Sequence, residues 1–282
     1  MFNLTDSELE NYIKEDLPYF DFTTHMQNAK NIKVTAEIFT REDILVSCSE
    51  EASRITEILG CKVKKNASSG TKIKKDETIL KIKGSYEDIQ KSMKLAQMLL
   101  EYSCKMSTYT NNMINEINDV NKNCELLTTR KTIPFAKRLC IKSILCAGAL
   151  PHRLGLSESI LLFDYHRTIY KNDEKFYEEI NKIKNRLPEK KVVVESKTYE
   201  DSIKLLEKKV DVLQLDKMDL DTTKKIIEQK NKINKNTKIL VAGGINLSNV
   251  KEYAKLQVDG IVSSSMYSCG LANLSCKVKI KE

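Results

Sequence analysis

A chain of 282 residues with 41% apolar and 30% charged content suits one large globular domain or two modest ones, and excludes disordered, collagen-like or membrane-embedded classes. The net charge of +8 does not point to nucleic acid, because lysines alternate with acids, as in EKFYEEINKIKNR (174–186), instead of forming one basic block. The opening MFNLTDSELENYIKED has no apolar leader core, no run of roughly 18 apolar residues follows anywhere, and the eight cysteines are irregularly spaced with no CxxC; a soluble cytoplasmic protein with reduced thiols and no membrane partner is expected.

In chain order, the first 120 residues read as a helix (7–16), extended pieces (31–40 and 43–49), a helix (50–60) and an extended pair within 64–84, an α+β pattern. A long helix is predicted over 86–118, where LAQMLLEY (95–102) repeats apolar residues at helical spacing. From about residue 125 the chain settles into short apolar runs alternating with amphipathic segments. The runs are CELLTTR (124–130), SILLFD (159–164), KVVVES (191–196), VDVLQLD (210–216), KILVAGG (238–244) and DGIVSSS (259–265). Near-continuous Val, Ile and Leu implies strands buried on both faces, and the intervals are long enough for parallel crossovers. The expectation is an α/β fold: an open TIM-like α/β barrel with a smaller N-terminal α+β domain. Its predicted parts are residues 1–110 (N-terminal domain and bridging helix), 111–268 (barrel) and 269–282, a tail whose strand-like KVKIKE returns to the first domain. An open doubly wound sheet is the alternative architecture.

Active sites of parallel α/β barrels lie at the carboxyl ends of the strands, so the polar residues ending each run are the candidates. The first run ends in Thr129, Arg130 and Lys131, whose guanidinium fork and point charge suit carboxylates and phosphates. His152 and Arg153 form a second cationic loop before the SILLFD run. Glu195 and Asp216 end successive runs and suit Mg²⁺ or ribose hydroxyls; structural ion pairs with Arg130 or Lys131 are the rival use for them. Gly243 and Gly244, with Ser263, Ser264 and Ser265, make two small-residue turns suited to phosphate, helped by a helix starting near Asn246 or Ser248.

These segments also resemble, in order, the motifs of the quinolinate phosphoribosyltransferase family: TTRKTIP (128–134), GALPHRLGLSESILLFD (148–164), VVVES (192–196), VLQLDKMD (212–219) and AGGINLSNVKEYA (242–254), with EDLPYFDFTT (15–24) resembling its opening. PHRLGLSE and MKLAQMLLEY (93–102) are similar to its ModD branch, often associated with molybdate transport. The resemblance implies transfer of phosphoribose from phosphoribosyl pyrophosphate to quinolinate or a related acidic nitrogen heterocycle, with release of pyrophosphate. It also implies Mg²⁺ held by Glu195 and Asp216, and a homodimer with shared active sites. Lys131, Glu195 and Asp216 take catalytic roles in that picture. Thr129, Arg130, His152 and Arg153 bind substrate, and the two small-residue turns hold the 5′-phosphate. Lys94 stands where quinolinate enzymes carry an arginine donated across the dimer.

The chain departs from that pattern where Phe163 replaces a substrate-binding lysine, Lys105 a glycine of the bridging helix, and Ala242 and Ser264 the serine and glycine of the phosphate turns. Two other uses fit a barrel with phosphate turns. One is an aldolase or synthase, which needs a lysine inside a strand. The other is a non-catalytic small-anion sensor or partner linked to molybdate uptake.

Overall fold

A computed structural model describes residues 2–27, 29 and 32–280. Asn31, heading the predicted extended piece, and Lys281 and Glu282, ending the predicted tail, lie outside the described residues. The elements follow in chain order as α1 (Asp6–Asp16), α2 (Phe22–Gln27), β1 (Lys33–Thr40), β2 (Ile44–Leu45), α3 (Ser49–Ile58), β3 (Lys62–Asn66), β4 (Lys72–Ile73), β5 (Thr78–Ser85), α4 (Tyr86–Asn118) and β6 (Glu125–Thr128). Then come α5 (Lys137–Ala147), β7 (Leu150–Pro151), β8 (Ile160–Leu162), α6 (Asp164–Arg167), α7 (Asp173–Arg186), β9 (Val192–Ser196), α8 (Tyr199–Glu207) and β10 (Val212–Asp216). The last are α9 (Leu220–Ile233), β11 (Lys238–Ala242), α10 (Val250–Lys255), β12 (Gly260–Ser263), a 3₁₀ turn (Ser265–Ser268) and β13 (Leu274–Ile280).

The chain divides into two compact units: residues 1–111, 132–148 and 266–282, and residues 112–131 with 149–265. In the first, β13, β1, β5 and β3 form an antiparallel sheet. Alternate residues of β1 face inward, so Val34, Ala36 and Ile38 are fully buried, as a one-sided sheet requires. The tail enters that sheet as β13, with Ile38 opposite Cys276. Residues 132–148, which sequence patterning places in the barrel, belong to this first unit. The reason lies in one polar cluster. Lys142 of α5 is 1% exposed, and its ammonium donates to both carboxylate oxygens of Glu51 at 2.8 and 2.7 Å, to Glu50 at 3.1 Å and to Asn3 at 2.9 Å.

In the second unit seven parallel strands run in the order β7-β6-β12-β11-β10-β9-β8. The first strand thus pairs with the last, Thr128 opposite Ser263, while β7 and β8 stand at the two free edges, so the barrel is open. Sequence patterning finds six of these strands; the seventh is the dipeptide Leu150–Pro151, too short to leave an apolar run. Side-chain oxygens of Asn172, Thr198 and Asp219 cap the starts of α7, α8 and α9. Inside the barrel, Leu161, Val193, Val212, Leu240, Ala242 and Val262 pack together with Leu127 and Phe163. No helix among the described residues is long and apolar enough to cross a membrane.

Candidate active site

Strand pleating carries the site up from that core. Side chains two residues apart share a face, so Val193 is followed inward by Glu195, Val212 by Gln214 and then Asp216, Leu161 by Phe163, and Leu127 by Thr129. Glu195 and Gln214 are direct partners across β9 and β10, and the Gln214 amide donates to the Glu195 carboxylate at 3.0 Å. Gln214 escapes a reading confined to strand ends, although the alternation Val-Leu-Gln-Leu-Asp puts it on the same face as Asp216.

Above this layer opens a cavity of about 630 Å³, within the range of small-molecule sites. Thr129, Arg130, Lys131, His152, Arg153, Glu195, Asp216, Gly243, Gly244, Ser263, Ser264 and Ser265 all line it. Lys94 does not: it belongs to the first unit, on α4, where its ammonium donates to Gln97 Oε1 at 3.0 Å. Phe163, Tyr165, Gln214, Lys217 and Asn246 line it as well. Tyr165 and Lys217 each lie one residue beyond an apolar run, where periodicity stops carrying information.

The charges at the mouth are left open. Among the described residues, the side chains of Arg130, Lys131 and Lys217 make no ion pair or hydrogen bond, and no acid of the site bridges to them. The rival structural use of Glu195 and Asp216 is therefore absent from this arrangement. Burial, and next to it the Asp216 carboxylate, pushes the Glu195 carboxyl above the usual range, despite the Gln214 bond. Burial also lowers the His152 imidazole, with Arg153 adding to the effect. Arg153 in turn is lowered by burial and by Arg130 beside it. The cavity thus places cation beside cation and acid beside acid, each raising the cost of its neighbour's charge.

The turns are shaped for close approach. Gly243 has φ of +87°, and a Cβ there would sit 2.4 Å from Lys217 Cγ, 2.6 Å from Asp216 Oδ1 and 2.8 Å from the Lys217 backbone nitrogen. Lys217 is itself left-handed at φ 57°, and its N–H donates to the Ala242 carbonyl at 2.8 Å, so the two turns are locked together. Ser263 organises its own turn: its hydroxyl donates to the Ile245 carbonyl at 2.6 Å and accepts the Ser265 N–H at 3.1 Å. The helix expected near Asn246 begins at Val250 and has six residues. Its dipole contributes less than sequence patterning suggests, because Asn246 and Asn249 instead tie up the preceding loop.

Two family models match the chain: quinolinate phosphoribosyl transferase, N-terminal domain, over residues 21–104, and the C-terminal domain of the same enzyme over residues 106–272. The chain belongs to the quinolinate phosphoribosyltransferase family. Membership makes this family member a phosphoribosyltransferase, that is, a pentosyl-transferring enzyme. It is 32% identical over 269 residues, covering 95% of each chain, to a Pasteurella multocida protein named "Putative pyrophosphorylase ModD". It is 28% identical over 258 residues, 90% of this chain and 89% of the other, to a Methanocaldococcus jannaschii protein named "Probable nicotinate-nucleotide pyrophosphorylase [carboxylating]". The fold matches NadC from Streptococcus pyogenes over the full length of both chains, with a TM-score of 0.88 at 19% identity. A similar match, TM-score 0.87 at 22% identity and 98% of each chain, is found with the nicotinate-nucleotide pyrophosphorylase from Francisella tularensis.

Proposed function

We propose that this phosphoribosyltransferase takes phosphoribose from phosphoribosyl pyrophosphate and joins it to the nitrogen of quinolinate or a related acidic heterocycle. The observation that supports this most is the joint placement of unpaired cations, two acids and two small-residue turns around one cavity. In the reaction the bond from the anomeric carbon to pyrophosphate breaks with its electron pair leaving on oxygen, and the heterocycle's nitrogen lone pair forms the new bond. Arg130, Lys131 and Arg153 neutralise the departing diphosphate and the acceptor's acidic group. Backbone N–H groups of Gly243, Gly244 and Ser264 hold the 5′-phosphate, while Thr129 and the loop of His152 orient the acceptor. Glu195 and Asp216 face the ribose and favour the cationic ribosyl that develops as the bond breaks. With quinolinate as acceptor, the carboxylate next to the ribosylated nitrogen then leaves as carbon dioxide, the bond's electron pair stays on the ring carbon and takes a proton from solvent, and the product is nicotinate mononucleotide.

Mg²⁺ fits the donor set. Two carboxylates facing one cavity, one of them pushed up by burial and then by the other, would supply the share that Mg²⁺ takes from protein when substrate phosphates provide the rest. Among the described residues no group of three or more metal-ligating side chains stands by itself, so Glu195 and Asp216 would hold the ion together with the diphosphate. There it would supply charge neutralisation of the leaving group. The active form is a homodimer in this reading, with Lys94 of one copy serving the other's cavity; the family resemblance supports it.

Pyrophosphate release from phosphoribosyl pyrophosphate, measured with quinolinate and with nicotinate in the presence of Mg²⁺, tests the reading. Turnover with one of them, all but lost in Lys131→Ala and Glu195→Ala with little change in thermal midpoint, is expected. Near-normal turnover in both variants would remove the mechanism.

A further inference from the structure

Lys94 is exposed on α4, yet its ammonium is tethered. It donates to Oε1 of Gln97 at 3.0 Å, one turn further along the helix. Gln97 is only 7% exposed, in a stretch where Leu95, Ala96, Leu99 and Leu100 are buried as well. A primary amide in such a place costs free energy unless its two donor and two acceptor positions are filled. Here they are. Oε1 also accepts from the Cys276 thiol at 2.6 Å, and Nε2 donates to Glu101 Oε1 at 2.6 Å and to the Leu274 carbonyl at 3.4 Å.

The amide is fixed from two elements of the first unit. Glu101 stands one turn further along α4, while Leu274 and Cys276 belong to β13, which is held along β1. Burial raises the Cys276 thiol, and the charge of Lys94 offsets this only in part, so the thiol keeps its proton and remains a donor to Gln97. A fully satisfied buried network of this kind is rigid.

Such a tether suits a cation that must meet a ligand. A free surface lysine loses rotamer entropy on binding, whereas one already bonded to a fixed acceptor has lost part of it beforehand. A carboxylate would hold the ammonium too, but would cancel its charge. Gln97 offers a neutral oxygen and turns its amide hydrogens to Glu101, and among the described residues Lys94 makes no ion pair.

We propose that Gln97 is the positioning residue of Lys94: a buried amide, set by Glu101 and β13, that orients the ammonium toward an anionic substrate while leaving its charge uncancelled. The inference rests on the reading in which Lys94 of one copy serves the other's cavity, and adds the residues that make this lysine fit for the task.

The test is a double-mutant cycle in pyrophosphate release by the full chain, with phosphoribosyl pyrophosphate, Mg²⁺ and each of quinolinate and nicotinate. Lys94→Met should lower kcat/KM by about tenfold or more. Gln97→Met, similar in volume but without the amide, should lower it by about fivefold in the parent and by less than about twofold beside Lys94→Met, because the amide acts only through the ammonium. Glu101→Leu, which releases the amide from behind, should repeat the pattern with a smaller effect, and decides the matter if Gln97→Met folds poorly. Losses that persist in full beside Lys94→Met would mark a structural role and overturn the proposal. Full activity of Gln97→Met and Glu101→Leu beside an impaired Lys94→Met would overturn it as well. Parent-like activity of Lys94→Met would instead overturn the service of Lys94 to the cavity, and a parent inactive with both acceptors would overturn ribosyl transfer; either removes the positioning role with it, so the failures are distinguishable.

Discussion

Both units of this molecule hold a cluster of charges, and the two clusters are built in opposite ways. In the first unit the ammonium of Lys142 is buried and matched atom by atom with Glu51, Glu50 and Asn3. In the barrel, Arg130, Lys131 and Lys217 are exposed, and Glu195 and Asp216 lie near each other without a cation bound to either. Carboxyl groups register the contrast. Burial pushes Glu50 up, but the Ser69 hydroxyl and amide, with Lys142, more than offset it and bring it down to about 2, whereas Glu195 is driven above the ordinary range. A matched cluster is complete within the protein. An unmatched one is a site whose partner arrives from solution.

The comparison breaks most visibly if the matched cluster is opened. Lys142→Ala leaves Glu51 buried without its counter-charge and should destabilise by about 3–5 kcal/mol, read by urea unfolding. Replacing both partners, Lys142→Met with Glu51→Leu, should restore most of that loss, because the penalty comes from the orphaned charge. A single variant as stable as the parent would mean that the cluster is not matched in solution.

The barrel should respond in catalysis instead. Glu195→Ala and Lys131→Ala are each expected to lower pyrophosphate release by roughly 10²–10³-fold while shifting stability by no more than about 0.5 kcal/mol. Stability loss without rate loss would reverse the assignment of roles.

Gly243→Ala should show both effects. Its Cβ would meet Asp216, Lys217 side chain and Lys217 backbone within 2.8 Å, at a positive φ, for about 1–3 kcal/mol of strain. Affinity for phosphoribosyl pyrophosphate should fall with it; a fully stable variant with intact affinity would show that the turn has room to spare.

The smallest effect is one of sign. Glu50, lowered in the folded state, contributes stability that is full above the unfolded carboxyl value of 4.5 and is lost as pH falls toward 2. Glu195, raised in the folded state, contributes stability that is full below the unfolded value of 4.5 and is lost as pH rises through its folded value. Unfolding profiles of Glu50→Gln and Glu195→Gln against the parent should therefore diverge in opposite directions across the acid range. Parallel profiles would contradict the contrast.

Much of the barrel is legible in the sequence, because buried parallel strands leave uninterrupted Val, Ile and Leu, and the residues that end them must face the mouth. That is why Arg130, Lys131, Glu195, Asp216 and Gly243 could be named from their positions, and why their gathering around one cavity follows from pleating alone. The first unit's charge cluster was not legible. Lys142 sits in KRLCIKSILCA, a helix that reads like any crossover, and a lysine is taken for the solvent face unless its carboxylates are known to lie behind it. The same limit hides Tyr165 in the cavity lining. Tyr165, His166 and Arg167 fall just past a strand, where neither period applies, and only packing shows Phe163 and Tyr165 stacked at the cavity.

The most direct measurement is the unfolding midpoint of Arg130→Met/Lys131→Met beside the parent, each with and without phosphoribosyl pyrophosphate and Mg²⁺. Unpaired like charges repel, so the variant alone should be at least as stable as the parent, yet the donor should stabilise only the parent. A variant that is less stable by itself, or that gains as much from the donor as the parent does, would mean that those cations are not held open for a sugar diphosphate.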